Sequence, residues 1–238
     1  LLSFIFQGAK CRHCNESLSW QYPTLETVTG LVTAFLPLFF YQHWHVQQIV
    51  LQGQPIGWFY LFTGLWLLAT YTFITFSAID FRLRIIPDQC NILLAVIGIA
   101  LAIVKYVHAA RFPFQGSFIG SYAQVLAQNQ SLIINLAIGA AVAFALFGGI
   151  IFFTKGRGMG LGDLKLALTI ALLLSWPDAG LSFAFAFIIG SVLSLLIMLN
   201  GKTNMKTAVP FGPFLALGVY VLIFYGESIM RWYFSLVG

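Results

Sequence analysis

Long apolar stretches separated by short polar segments dominate the chain from residue 24 to residue 229. A helix that crosses the hydrocarbon core of a bilayer needs about 20 mostly apolar residues. The pattern predicts seven spans, at residues 24–41, 57–79, 90–106, 132–153, 164–176, 181–199 and 210–229. The fifth is short, which is consistent with a start inside the membrane. Apolar and polar residues do not alternate as in a transmembrane barrel. We therefore predict an all-α, polytopic transmembrane helix bundle.

The basic residues are divided unevenly between the two sides of these predicted spans. Lys and Arg accumulate in the cytoplasmic loops of membrane proteins. If the N-terminus is cytoplasmic, the cytoplasmic side holds Lys10, Arg12, Arg82, Arg84, Lys155, Arg157, Lys165, Lys202 and Lys206. The opposite side then holds only Lys105, Arg111 and Arg231. The sequence therefore predicts a cytoplasmic N-terminus.

The composition supports a membrane protein and restricts its partners. Apolar residues make up 60% of the chain and charged residues only 8%, whereas about a quarter of the residues in a soluble domain are charged. The formal net charge is +5, but the basic residues are scattered rather than clustered. They suit topology and anionic lipid headgroups. The lipid bilayer is the expected partner, and nucleic acid is not.

Two acidic residues flank the loop between the second and third predicted spans. Asp80 lies at the end of an apolar stretch, where burying an ionisable group is expensive, at roughly 2.5–3.5 kcal/mol for a helix centre and less near the interface. Asp80 could instead simply end the span and pair with Arg82 or Arg84. Asp88 follows Pro87 and precedes an apolar run, which suits a helix-capping or first-turn acid.

A glycine-rich segment leads into a third acidic residue. Gly156, Gly158, Gly160 and Gly162 alternate with other residues up to Asp163, which opens the fifth predicted span. Glycine permits positive φ and a close approach of backbone or substrate, and a helix N-terminus favours a carboxylate. The alternatives are a flexible loop with an N-cap Asp, or a phosphate-binding loop. The latter lacks its strand–loop–helix setting and its GK[ST] ending.

Asp80 and Asp163 are predicted to lie at the same face of the membrane. Two carboxylates brought close together cannot both ionise cheaply, so one retains a proton. The ionised carboxylate can take a proton from water while the neutral one hydrogen-bonds a scissile carbonyl. The two residues could therefore hydrolyse a peptide without a covalent intermediate. Asp88 lies near enough in sequence to exchange roles with Asp80.

Four blocks of sequence occur in an order that resembles the type IV prepilin peptidases, membrane aspartic proteases of bacterial pilus and type II secretion systems. The blocks are Cys11-Arg12-His13-Cys14 with Tyr22-Pro23 and Glu26, Asp80 with Ile86-Pro87-Asp88, Gly158 to Lys165, and Val209 to Gly218. The resemblance implies that Asp80 and Asp163 are catalytic and cleave the basic leader of a prepilin or pseudopilin. Cleavage would occur on the cytoplasmic side of the bacterial inner membrane. The expected supporting or substrate-binding residues are Gly158, Gly160, Gly162, Lys165, Asp88 and Glu26.

The same resemblance implies a second activity and a metal. Many family members also methylate the new N-terminal amine with S-adenosylmethionine, and in the family the neighbourhood of Glu26 and the cysteine-rich segment are associated with that step. Bifunctional members carry two CxxC pairs, enough for a four-thiolate zinc site. This chain has Cys11 and Cys14 only, so we expect zinc with its other two ligands, and an eighth span, upstream. A natural member with a single pair is the alternative.

The expected organisation is a cytoplasmic zinc-type segment over residues 1–23 and a membrane-embedded peptidase domain over residues 24–238. Within the enzyme class, the alternative is a peptidase without methyltransferase activity. A proton-coupled transporter is a rival because intramembrane carboxylates also serve as proton relays, although such acids belong mid-span. A non-enzymatic subunit of a secretion machine, with the aspartates as caps, is a further rival.

Overall fold

The computed structural model describes residues 4, 16, 19–44, 46, 55–109, 113–127, 131–199 and 210–237. These residues form helices and turns and contain no β-strand, which confirms the all-α class. The helices are α1 (Gln21–His43), α2 (Gly57–Leu83), α3 (Asp88–Val107), α4 (Tyr122–Leu126), α5 (Leu132–Ala143), α6 (Gly149–Thr154), α7 (Leu161–Leu174), α8 (Asp178–Leu199) and α9 (Gly212–Val237). A π-helical turn, Phe144–Gly148, joins α5 to α6.

Six helical segments of the described chain are long and apolar enough to cross a membrane. They are Gln21–His43, Gly57–Leu83, Asp88–Val107, Leu132–Thr154, Asp178–Leu196 and Gly212–Leu236. Each corresponds to one of the predicted spans, so the protein is a multi-pass membrane protein. The predicted fifth span corresponds to α7, which has only 14 residues. At 1.5 Å per residue α7 is about 21 Å long, shorter than a hydrocarbon core of about 30 Å.

Helix α7 contacts the N-terminal turns of both α3 and α5. In its second turn, Lys165 contacts Asp88, the first residue of α3. Just beyond its end, the Trp176 N–H donates to the carbonyl of Asn135, near the start of α5, with 3.0 Å between nitrogen and oxygen. Helix α7 therefore extends from the first turn of α3 to the first turn of α5.

The burial of α7 explains how so short a helix can lie there. Its side chains are apolar on nearly every face, and it packs against α3, α5, α8 and α9. A helix that is hydrophobic all round belongs in an interior. The fully or almost fully buried residues are Leu166, Ala167, Ile170, Ala171, Leu173 and Leu174. Helix α7 is thus the central helix of its part of the chain, enclosed by neighbouring helices.

The chain divides into two compact units, residues 1–74 and 75–238. In the first unit, α1 packs on the N-terminal part of α2 through aromatic contacts. The ring centroid of Phe40 lies 5.4 Å from the ring centroid of Phe62 and 6.1 Å from that of Trp66. The hydroxyls of Thr33 and Tyr71 are 3.0 Å apart. The second unit contains the end of α2 and all later helices.

Two glycines allow close helix packing in the second unit. A Cβ placed on Gly98 of α3 would lie 3.0 Å from the Cβ of Leu172 on α7. A Cβ on Gly218 of α9 would collide with the carbonyl oxygen of Ser182 on α8. Any larger residue would push these helices apart. The close packing therefore fixes the positions of α7 and α9, whose first residues border the candidate site.

Candidate active site

A cleft of about 520 Å³ lies within the second unit, at the end of the bundle where α3 and α7 begin. Three stretches of chain form its walls: Asp80 with 84–88, part of 156–165, and Pro210-Phe211. The cleft brings together most of the residues that the sequence singled out. They are Asp80, Asp88, Gly158, Gly160, Gly162, Asp163 and Lys165.

Asp80 lies in the last turn of α2, which extends to Leu83, beyond the predicted end of the span at residue 79. Its side chain is buried, with 4% of its surface exposed. The carboxylate oxygen Oδ2 accepts a hydrogen bond from the Gly212 N–H, with 3.2 Å between the heavy atoms. The carbonyl of Asp80 accepts from the N–H of Arg84 at 2.9 Å. Within the described residues, neither Arg82 nor Arg84 forms an ion pair with Asp80, so the pairing alternative is not what the structure shows.

Asp163 is the third residue of α7, and Gly160 is the N-cap. Its Oδ2 accepts from the Gly160 N–H at 3.1 Å, and its own N–H donates to the Gly160 carbonyl at 3.2 Å. This is the acidic half of a capping box, in which the third helical residue reaches back to the N-cap backbone. Asp163 therefore does not occupy the N-cap position that the alternative reading gave it. Its side chain is only partly exposed.

The two aspartates are held in the same manner. In each, Oδ2 accepts a hydrogen bond from a backbone N–H. Among the described residues, neither carboxylate accepts a further hydrogen bond. The side chains of Asp80 and Asp163 are close enough to interact electrostatically. The second oxygen of each carboxylate is left for water or a ligand. A carboxylate pair of this kind suits general acid–base catalysis.

The glycine-rich segment contributes in more than one way. Only Gly156 of the four alternating glycines has a positive φ, at 73°, so the expectation of left-handed backbone holds for that residue alone. The Gly158 N–H donates to the Thr154 hydroxyl at 3.1 Å. A Cβ on Gly162 would lie 3.5 Å from the Cβ of Ile86. The segment therefore brings the first turn of α7 against the chain that follows α2.

Asp88 and Lys165 form an ion pair at the cleft, with 2.7 Å between Nζ and Oδ1. Asp88 is the first residue of α3, and Pro87 is the N-cap. The prediction of a first-turn acid is confirmed, but a capping role would require the Asp88 carboxylate to accept a hydrogen bond from a backbone N–H of the first turn, and the described residues show none. The side chain instead extends to α7, because Lys165 offers it a cation. Lys165 in turn contacts Asp88 and not the candidate catalytic pair.

The remaining predicted residues are Glu26, Cys11 and Cys14. Glu26 is an exposed residue of α1, in the unit of residues 1–74. Cys11 and Cys14 lie outside the described residues. Among the residues that the structure does describe, no group of three or more His, Cys, Asp or Glu side chains could hold a metal ion. Two thiolates suit zinc, but they supply only two of the four ligands that a structural site needs.

Gly212 is a site residue to which sequence reasoning assigned no role. A Cβ at this position would lie 2.8 Å from Oδ2 of Asp80 and 3.3 Å from side-chain atoms of Ile86 and Phe76. Only glycine allows the backbone to approach the carboxylate this closely. The signal in the sequence was Pro210 and Pro213 on either side of this glycine. Proline interrupts a helix, and α9 begins at Gly212, between the two prolines.

A multi-pass helical membrane protein with two backbone-held aspartates in one cleft has the features of a membrane-embedded acid–base enzyme. Comparison with known proteins identifies the family. Residues 67–195 match the type IV leader peptidase family, and residues 1–40 match the bacterial peptidase A24 N-terminal domain. The first match covers more than half of the chain. The chain belongs to the type IV leader peptidase family.

Curated relatives agree over nearly the whole chain. A protein of Aeromonas salmonicida (strain A449) is 24% identical over 100% of this chain and 69% of its own length. A protein of Legionella pneumophila is 25% identical over 98% of the chain and 69% of its own length. One of Bacillus subtilis (strain 168) is 26% identical over 99% of the chain and 79% of its own length. All three are named prepilin leader peptidase/N-methyltransferase. No solved structure matches this chain significantly.

Proposed function

We propose that this protein is a membrane aspartic endopeptidase that cleaves the basic leader peptide of type IV prepilins or type II secretion pseudopilins. The observation that carries the proposal is the convergence of Asp80 and Asp163 in one cleft, each with a single carboxylate oxygen bound by a backbone N–H. Membership of the type IV leader peptidase family and the names of the relatives support the substrate class.

The proposed mechanism uses a water molecule between the two aspartates. One carboxylate is ionised and takes a proton from the water, while the other is protonated and donates a hydrogen bond to the scissile carbonyl. The hydroxide formed attacks that carbonyl while the second carboxyl gives its proton to the carbonyl oxygen, so a tetrahedral diol results. The first carboxyl then transfers the proton it took from water to the leaving amine, the C–N bond breaks, and one diol hydroxyl returns its proton to the second carboxylate. A new carboxyl and a new amine result, and both aspartates regain their starting states. The Gly212 and Gly160 N–H groups hold Oδ2 of each acid, which leaves the other oxygens for this chemistry.

The proposed side of cleavage is the cytoplasm, and the proposed location is the bacterial inner membrane. The cleft is lined by Arg84, Arg157 and Lys165. All three belong to the basic set that the charge bias assigns to the cytoplasmic face. A leader peptide made in the cytoplasm would then meet the cleft before its protein crosses the membrane.

Cleavage of a purified prepilin by the full chain in proteoliposomes tests the function. Asp80→Asn and Asp163→Asn should each lower kcat by about 10²- to 10⁴-fold, the usual contribution of a general acid or base. Asp178→Asn is the matched control, since Asp178 is also buried but is not among the described residues that line the cleft. It accepts hydrogen bonds from the Ser117 hydroxyl and the Phe118 N–H and interacts with the charge of Lys105. Full cleavage by either of the first two variants would contradict the proposal.

The same vesicles separate a peptidase from a proton-coupled transporter. A transporter would carry protons across the vesicle membrane in the absence of prepilin, and Asp80→Asn would abolish that flux. A peptidase would show no such flux, and its loss in Asp80→Asn would be confined to cleavage. Both acids line one cleft at one end of the bundle, which favours the peptidase.

We further propose that the protein methylates the new N-terminal amine with S-adenosylmethionine and binds a structural zinc ion through Cys11 and Cys14. The names of the relatives and the match of residues 1–40 support this second activity. Transfer of labelled methyl groups to a cleaved pilin tests it. Zinc content measured before and after Cys11→Ser and Cys14→Ser tests the metal. A peptidase without methyltransferase activity would cleave normally and transfer no label.

A further inference from the structure

The ion pair between Asp88 and Lys165 lies in the wall of the cleft that holds the two catalytic candidates, yet hydrolysis does not use it. The Asp88 carboxylate is the N-terminal side chain of α3 and forms no capping hydrogen bond among the described residues. Its partner, Lys165, comes from α7, 77 residues further along the chain. The pair therefore spans two separate walls of the same cleft.

This pair can be exchanged at little energetic cost. The side chains of Lys165 and Asp88 remain 54% and 65% exposed. Ion pairs in that setting contribute about 0–1 kcal/mol to stability. Lysine also has a flexible stem with three donors, so Lys165 can turn away into water. An ammonium or guanidinium group from another molecule can take its place on Asp88.

The other charges of the cleft make Asp88 distinctive. Of the described residues that line it, the carboxylates are Asp80, Asp163 and Asp88, and the cations are Arg84, Arg157 and Lys165. Asp80 and Asp163 are engaged with backbone N–H groups and are assigned to the chemistry. Arg84 and Arg157 are exposed and repel a cationic side chain. A basic residue of a bound peptide is therefore attracted at Asp88 and disfavoured along the arginine-lined parts of the wall.

We propose that Asp88 binds a basic side chain of the leader peptide and that Lys165 occupies this carboxylate until the substrate displaces it. Asp88 is thus a specificity-determining residue that sets where the peptide lies relative to the catalytic pair. The inference rests on the proposed peptidase function, because it takes the basic leader as the ligand. It assigns Asp88 to recognition and leaves the catalytic role with Asp80 and Asp163.

The test uses the opposite signs expected for the two partners. Binding of a synthetic basic leader peptide is measured on the full chain carrying Asp163→Asn, so that no cleavage intervenes. The same peptide with its Lys and Arg residues replaced by Gln serves as the comparison ligand. Asp88→Asn should weaken binding of the basic peptide by about fivefold, the value of one exposed ion pair, and leave binding of the Gln peptide unchanged. Lys165→Met should tighten binding of the basic peptide, because it removes the internal competitor.

A purely structural ion pair predicts a different pattern. Either substitution would then break the same contact, and both would weaken both peptides alike. That result, or the absence of any change in basic-peptide binding with Asp88→Asn, would overturn the inference. Failure of the unsubstituted chain to cleave prepilin would overturn the proposed function instead. The binding comparison would still decide the role of Asp88, so the two failures are distinguishable.

Discussion

Replacing Gly212 by Ala should impair catalysis more than folding. The Cβ of alanine would lie 2.8 Å from Oδ2 of Asp80, whereas ordinary contacts of a Cβ begin at 3.4 Å. If the backbone holds its place, Oδ2 must therefore move by 3.4 − 2.8 = 0.6 Å. The hydrogen bond from the Gly212 N–H, already 3.2 Å long, would then be stretched or lost. Both effects act on the position of the Asp80 carboxylate, which we propose to be catalytic.

The expected loss can be set from that displacement. Misplacing a reacting group by about 1 Å can cost about 10²-fold in rate, so we expect kcat for leader cleavage to fall by about 10- to 100-fold. KM should change less than kcat, because the closest contact of the added Cβ is Oδ2 of Asp80, and the side chains of Ile86 and Phe76 are further away, at 3.3 Å. The assay is cleavage of purified prepilin in proteoliposomes, with initial rates measured across substrate concentrations.

Two control substitutions separate this effect from general damage. Gly149→Ala introduces a Cβ with no atom within 4 Å and should behave as the unsubstituted protein. Gly98→Ala introduces strain between α3 and α7, away from the acids, and should lower thermal stability with a smaller effect on kcat. If Gly212→Ala is folded and retains full kcat, the carboxylate does not depend on this glycine and the reasoning is refuted.

Three further outcomes follow from the contacts. Gly162→Ala should leave the cleavage rate within about threefold of that of the unsubstituted protein, because the added Cβ meets Ile86 at an ordinary contact distance of 3.5 Å. A loss of rate as large as that of Gly212→Ala would contradict this expectation. Gly98→Ala should destabilise the protein by about 1–3 kcal/mol, the usual cost of overpacking, and thermal unfolding in detergent measures it. Ser117→Ala removes a 2.7 Å hydrogen bond to the buried Asp178, at a cost of about 1–3 kcal/mol. Faster hydrogen exchange of the Phe118 and Ile119 amides, with normal cleavage, would confirm it, and unchanged exchange would contradict it.

The apolar pattern predicted the architecture well because it depends on local sequence. Six of the seven predicted spans correspond to helices long enough to cross the membrane. The remaining one, the fifth in chain order, corresponds to α7. The helix ends were less accurate, for a physical reason. The second predicted span ended at residue 79, whereas α2 continues through Asp80 to Leu83. The buried carboxylate of Asp80 accepts a hydrogen bond from the N–H of Gly212, which is 132 residues away. No local pattern in the sequence contains that contact.

The side-chain pairings show the same limit. The position of Asp88 after Pro87 predicted a helix-capping or first-turn acid, and Asp88 does lie in the first turn of α3. Its ion-pair partner, Lys165, is 77 residues distant, and no local pattern contains that contact. The pairing of Asp80 with Asp163 was inferable, since membrane topology placed both at one face. The groups that hold each acid in place were not, because they are backbone N–H groups that any residue possesses.

Those backbone groups explain how two carboxylates can be kept at the edge of a membrane. The Asp80 carboxylate accepts a hydrogen bond from the N–H of Gly212, the first residue of α9. The Asp163 carboxylate accepts one from the N–H of Gly160, the N-cap of α7. The N-terminus of a helix carries a partial positive charge that stabilises a nearby anion by about 0.3–1 kcal/mol, and by up to about 2 kcal/mol when partly buried. An ionised group costs roughly 2.5–3.5 kcal/mol at a helix centre and less near the interface. Two helix N-termini can therefore offset much of the cost of charge on the pair, while one retained proton removes the rest. Because an Asn side chain also accepts a hydrogen bond from a backbone N–H, Asp80→Asn and Asp163→Asn should preserve both contacts and remove only the chemistry.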